Sequence, residues 1–146
     1  MQKLLFSWIG EADLYQFESG EVGPVEGFIK QVSRREDSVF LLNNYPKERV
    51  TPFLEHLSKK ITDTFIQPVE ANFSDPTSYS EIYPLVDQLL GTLKRANEYR
   101  NSQFNIFLSP GTPTMQAIWI LLAKTKYPAV CWSGYKGLLS FVDLPF

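Results

Sequence analysis

The chain has 146 residues, 44% of them hydrophobic, which is enough to bury one core and too few for two ordinary domains, so a single domain over residues 1–146 is expected. Fourteen basic against sixteen acidic residues leave a net charge of -2, so the whole-molecule field does not gather polyanions, and any anionic ligand has to be held locally. No stretch reaches the ~18 apolar residues that a membrane span needs, and the N-terminus lacks the blocks of a signal peptide, so a cytoplasmic chain without membrane contact is expected.

Lys3 to Ile9 is apolar almost throughout and ends at Gly10, the pattern of a strand covered on both faces. Gly20, Gly23 and Pro24 punctuate a loop, after which Val25, Phe28, Ile29 and Val32 recur at helical spacing. The unit then repeats. Ser38 to Leu42 reads as a second strand, Asn43-Asn44-Tyr45-Pro46 as a turn, and Val50, Phe53, Leu54, Leu57 and Ile61 as one helical face, with Pro52 in the first turn or at a kink. Thr64 to Val69, with Pro68, is a weaker third strand. Asp75-Pro76 resembles an N-cap and first helical residue for a third helix, whose apolar face runs from Ile82 to Leu93 and whose first half contains Pro84. Lys94 to Ser102 reads as a solvated helix end and loop.

Phe104 to Leu108 gives the fourth strand, broken by Ser109-Pro110-Gly111-Thr112-Pro113; Met115, Ile118, Trp119 and Leu122 then mark a fourth helix. That helix is apolar nearly all round from Ala117 to Ala123, which implies deep burial or a shared subunit interface. Ala129 to Ser133 and Leu138 to Leu144 close the chain as two strands. Cys131, the only cysteine, sits in the first of these and reads as a buried, inert thiol. The alternation predicts an α/β fold, a Rossmann-like three-layer sandwich with a mainly parallel sheet of about six strands, the last two able to form an antiparallel hairpin at its edge.

In such sheets ligands bind beyond the carboxyl ends of the strands where the strand order reverses, which for an order 3-2-1-4-5 lies between strands one and four. Two turns are therefore singled out. In the second, Gly111 lets backbone approach a ligand, while Ser109, Thr112 and Thr114 offer hydroxyls beside a helix start suited to a phosphate or carboxylate; equally, Thr112 caps the helix with Pro113 first inside it. In the first, Gly10 allows close approach and Asp13 either accepts from a ribose hydroxyl or base amine or is a solvated loop carboxylate. Trp8 either stacks on a base or packs beneath the sheet. Asn43, Asn44 and Tyr45 edge the same crevice, or simply form a turn.

Other chemistries have less to stand on. The one histidine, His56, falls on a helix between Glu55 and Leu57 and reads as a surface residue, with no second histidine or cysteine near enough in sequence for a metal site. No glycine fingerprint of a dinucleotide or nucleoside-triphosphate site is present. No catalytic residue, metal or cofactor is therefore assigned.

Phe107 to Lys126, with Leu5-Phe6-Ser7-Trp8-Ile9-Gly10 and Leu42-Asn43-Asn44-Tyr45-Pro46, resembles the CRISPR-associated Rossmann-fold (CARF) sensor domains. The version most resembled stands at the N-terminus of sigma-54-dependent transcription activators, including regulators of RNA-terminal-phosphate cyclase. The resemblance covers essentially the whole chain and implies a homodimer with its ligand on the dimer axis, touched by the turns after strands one and four. It carries over Gly10 and Asp13 in the first turn, and Ser109, Gly111, Thr112 and Met115 in the second. The implied ligand is a cyclic oligoadenylate, or an RNA end or related nucleotide. A lysine or arginine often follows the second motif in relatives active in CRISPR defence; here Pro113 and Thr114 stand there, which weighs against a cyclic oligoadenylate.

In such activators the sensor is fused to an ATPase that acts on sigma-54 RNA polymerase and to a DNA-binding helix-turn-helix, neither of which lies in this sequence, so a domain excised from a longer regulator is expected. The leading expectation is a non-enzymatic ligand sensor that controls an attached effector. The alternatives are a ring-nuclease-like enzyme with Ser109 or Thr112 positioning phosphate, and a purely structural dimerisation module.

Overall fold

Strands without a polar face have to be covered on both sides, and the computed structural model, which describes residues 1–146, covers them so. Its elements in chain order are β1 (Lys3–Trp8), α1 (Glu11–Glu18), α2 (Pro24–Val32), β2 (Ser38–Asn43), α3 (Lys47–Lys60), β3 (Phe65–Glu70), α4 (Tyr79–Arg95), a 3-10 turn (Asn97–Tyr99), β4 (Gln103–Phe107), α5 (Pro113–Thr125), β5 (Ala129–Tyr135) and β6 (Leu138–Phe141). All six strands form one sheet in the order β3-β2-β1-β4-β5-β6. The first five run parallel, and β6 closes the edge as an antiparallel hairpin partner of β5. This is the Rossmann-like arrangement expected.

Alternation along each strand divides the core in two. Leu4, Phe6 and Trp8 of β1 point with Phe40, Leu42, Phe104 and Ile106 toward α4 and α5. Leu5 and Ile9 point with Val39, Leu41 and Phe107 toward α1, α2 and α3. Aromatic pairs fasten each half: Phe6 stacks on Phe40 at 5.5 Å between centroids, and Phe28 on Phe107 at 4.6 Å. Cys131 is buried in the first half, where desolvation pushes its thiol pKa up.

Several boundaries differ from expectation. Glu11–Glu18 is a helix rather than a loop; it buries only Asp13 and Leu14, so it carries no apolar stripe to read. α3 begins at Lys47, placing Pro52 beyond the first turn, and Pro84 is likewise inside α4. α4 is capped by Ser78, not Asp75, because the Asp75 carboxylate is taken by the Thr77 amide at 2.9 Å and hydroxyl at 2.7 Å. Glu81 reaches back to the Ser74 amide at 2.8 Å. Pro68 lies on β3, the edge strand, where a missing ladder donor is tolerated. α5 buries Met115, Ile118, Trp119 and Leu122 inside the chain, which accounts for most of its apolar face, while Leu121 stays 49% exposed. His56 is not a free surface residue: its Nε2 lies 2.9 Å from Oε1 of Glu26, a buried carboxylate also bound by Lys30 at 2.6 Å.

Candidate ligand-binding site

Because β1 and β4 are neighbours in parallel register, the turns that follow them leave the sheet side by side. A Cβ placed on Gly10 would stand 3.3 Å from Pro110 Cβ and 3.4 Å from the Gly111 nitrogen, so the two turns are in direct contact. Gly111 has φ +102°, a conformation that L side chains rarely adopt, and a Cβ there would come within 2.8 Å of Met115 Sδ. Glycine is required at that position by both backbone and space.

Beside this contact lies a hollow of about 390 Å³. Trp8 and Met115, both buried, contribute to its floor, and Gly10, Gly111 and Thr112 form one wall. Asn43, Asn44 and Tyr45 enter from the end of β2, and Phe73 and Pro76 from the segment after β3. Of the sequence-derived candidates, Trp8, Gly10, Asn43, Gly111, Thr112 and Met115 are thus brought together around one space.

Three candidates are turned elsewhere. Asp13, 1% exposed, accepts from the Gly10 amide at 2.7 Å through Oδ2 and from the Val25 amide at 2.7 Å through Oδ1. It is the third residue of α1 and reaches back to the capping residue's N–H, the return half of a capping box. Neither a ribose contact nor a solvated loop describes it; it clamps two backbone turns. Ser109 accepts from the Gly134 amide at 2.8 Å on the β5 side of its loop, and Thr114 donates to the Thr77 carbonyl at 2.8 Å. Thr112 lines the hollow, but its hydroxyl donates to the Pro76 carbonyl at 2.7 Å and accepts from the Met115 amide at 3.3 Å. The capping alternative therefore holds for Thr112, and both threonines fasten the start of α5 to the segment after β3. Trp8 is 1% exposed and meets Phe73 edge-on at 5.9 Å, which is packing rather than an open stacking face.

The electrostatics of the two turns differ. Burial outweighs the two backbone hydrogen bonds of Asp13 and raises its pKa from 3.8 to about 6. Glu11, at the mouth of the hollow, is held below the ordinary carboxylate range chiefly by hydrogen bonds from Arg49. The Arg49 guanidinium bonds both Glu11 oxygens, at 2.6 and 3.0 Å, and reaches Glu18 at 3.0 Å. No lysine or arginine lines the hollow itself. What remains for a ligand is apolar and aromatic surface, the Asn44 and Tyr45 side chains, and the backbone N–H groups that a helix start leaves unpaired.

Phe73, Pro76 and the Glu11–Arg49 pair were missed from sequence. Strand-order reasoning points to the turns after β1 and β4, whereas Phe73 arrives because Asn44 Nδ2 holds its carbonyl at 2.9 Å. Tyr45 next to Asn43-Asn44 was the one available signal for that side.

Fold and rim together define a doubly wound α/β domain with a ligand-sized hollow at its topological switch point. No protein-family model and no curated protein sequence matches the chain. Among solved structures its fold is similar to that of Enterococcus italicus Csm6 bound to cyclic hexa-2'-fluoro-hexa-dAMP, with a TM-score of 0.77 and 19% sequence identity. The match covers 93% of this chain and 33% of that one, so the chain spans about a third of that protein's length. At this identity the likeness shows the shared fold. No helix is long and apolar enough to cross a membrane.

Proposed function

We propose that the chain is a CARF-type sensor domain that binds a cyclic or short oligonucleotide where the turns after β1 and β4 meet, and that it signals by binding rather than by cleaving. The observation that carries this reading is the contact between Gly10 and the Pro110-Gly111 turn beside a hollow of about 390 Å³. The fold is shared with a protein whose structure holds a cyclic oligonucleotide. The hollow falls within the ~300–1,000 Å³ typical of small-molecule sites. It suits a base more than a phosphate, because its walls are aromatic and lack a cation.

A cyclic hexanucleotide is far larger than this hollow, so most of it would lie over the rim. A second copy of the chain facing the first would give it further contacts. Such a homodimer could hold two arrangements with different ligand affinity, which any switch requires. In a sigma-54-dependent activator the change would pass to an attached ATPase and DNA-binding effector. Binding without cleavage is supported by Glu11, the one carboxylate on the hollow, both of whose oxygens are engaged by Arg49 at 2.6 and 3.0 Å rather than free to act on a ligand.

Calorimetry with cyclic hexa-2'-fluoro-hexa-dAMP, and in parallel with a short RNA ending in a 2′,3′-cyclic phosphate, tests the reading. Saturable binding of one of them, lost in Gly111→Val, is expected. Failure of both to bind the folded protein would overturn it.

A further inference from the structure

A second hollow, of about 490 Å³, opens on the other side of the same ridge. Ser109 lines it while Gly111, two residues on in the same loop, lines the first. Two residues span at most ~7 Å of extended chain, so the two spaces are neighbours on one rim. Their chemistry is opposite. The first has a carboxylate and no cation; the second has Lys136 and no aspartate or glutamate on its walls.

Lys136 takes part in none of the chain's six ion pairs, although the chain carries more acidic than basic residues. It sits at the tip of the β5–β6 hairpin, beside Tyr135, which is 73% exposed. Neutral donors complete the walls. Ser109 Oγ accepts from Gly134, leaving its own O–H to donate, and the amides of Gln16 and of Gln31, which donates one N–H to the Gly137 carbonyl at 3.4 Å, line the same space. Gly23, the residue before α2, and Pro24, its first residue, line the same space, and the Val25 N–H of that helix start is taken by Asp13. The nearby Asp13 carboxylate lies behind Gly23 with both oxygens spent on backbone N–H groups.

Resting on the reading above, we propose that this second hollow is a phosphodiester subsite of the same ligand. A nucleotide whose base enters the first hollow lays its phosphate over the Ser109-Pro110 ridge against Lys136, Ser109 and the glutamine amides. Tyr135, whose ring already carries Lys136 Nζ 5.4 Å from its centroid, offers its other face to the next base, as exposed aromatics do in single-strand binding sites. Each hollow supplies what the other lacks.

Gly27 gives a test that leaves the fold intact. It lines the second hollow from α2, and a Cβ there would meet only Gln31 Nε2, at 3.8 Å. Replacing a helical glycine also favours the helix. Titration of the protein with cyclic hexa-2'-fluoro-hexa-dAMP over a range of salt concentrations should show Gly27→Leu melting no lower than the parent yet binding at least ~10-fold more weakly. Lys136→Gln should bind about 3- to 10-fold more weakly at low salt, with its log-log salt slope reduced by about 0.7 to 1 for the lost phosphate contact. Lys59→Gln, at the far end of α3, should match the parent in both. If the parent binds and Gly111→Val does not, while Gly27→Leu and Lys136→Gln keep the parent's affinity and slope, the subsite is refuted and the sensor reading stands. If the parent binds neither this ligand nor the cyclic-phosphate RNA, both fall.

Discussion

The two turns at the rim do the same mechanical work by different means. After β1, the turn at Gly10 is held by a charged group in a dry place: the buried Asp13 carboxylate, shared between the Gly10 and Val25 amides. After β4, the turn at Gly111 is held by neutral hydroxyls, Thr112 on the Pro76 carbonyl and Thr114 on that of Thr77. A carboxylate makes stronger hydrogen bonds but resists burial. The first turn is therefore firm but sensitive to pH, and the second is indifferent to pH and depends on sterics.

Mutation can separate the two. The largest effect is expected at Gly111→Val, where a β-branched residue is forced to a φ near +102° and its Cβ into Met115. Backbone strain and overpacking together should cost ~2–5 kcal/mol in urea unfolding and abolish ligand binding. Asp13→Ala leaves two buried N–H groups unpaired and should cost about 3 kcal/mol.

The charge difference itself is read by Asp13→Asn across pH. Burial raises the folded-state pKa of Asp13 from 3.8 to about 6, so the folded chain holds this proton more tightly than the unfolded one. The contribution of this group to stability is then greatest below pH ~4 and falls, by as much as ~3 kcal/mol, as the pH rises to about 6. Subtracting the Asp13→Asn curve from that of the parent should isolate this fall; a difference that is flat, or that rises with pH, would show that the carboxylate is not under desolvation stress. The smallest effect is expected for Thr114→Val, about 1 to 2 kcal/mol for one lost hydrogen bond and an unpaired carbonyl, equal at pH 4 and pH 7. A pH-dependent loss there would erase the contrast between the turns.

The sheet was legible in the sequence because two-sided burial writes continuous apolar runs, as in Leu4–Phe6 and Val39–Leu42. The start of α2 at Pro24 was marked by its turn residues. α1 was not legible, since a helix that buries little apolar surface leaves no periodic trace. The start of α4 was misplaced because Asp75 and Ser78 are both good caps, and only side-chain direction decides between them: Asp75 turns to Thr77, while Ser78 Oγ accepts from the Glu81 amide.

At the site, strand order alone brought Gly10 and Gly111 together. It could not tell that Asp13, Ser109 and Thr114 would turn their polar atoms to backbone partners instead of to the hollow. Residue type offers a donor or acceptor without its direction. Phe73 and Lys136 escaped notice for a related reason: each reaches the rim from a segment whose own sequence signals only a loop or a turn.

The central claim is that ligand binds where the turns after β1 and β4 meet. Amide chemical shifts of the isotopically labelled protein, followed during titration with cyclic hexa-2'-fluoro-hexa-dAMP, test it most directly. The account predicts that the largest changes fall on residues 10–12, 43–45 and 111–116, all at the carboxyl edge of the sheet. Changes gathered instead at the opposite edge, around residues 34–37, 61–64 and 102–103, would contradict it.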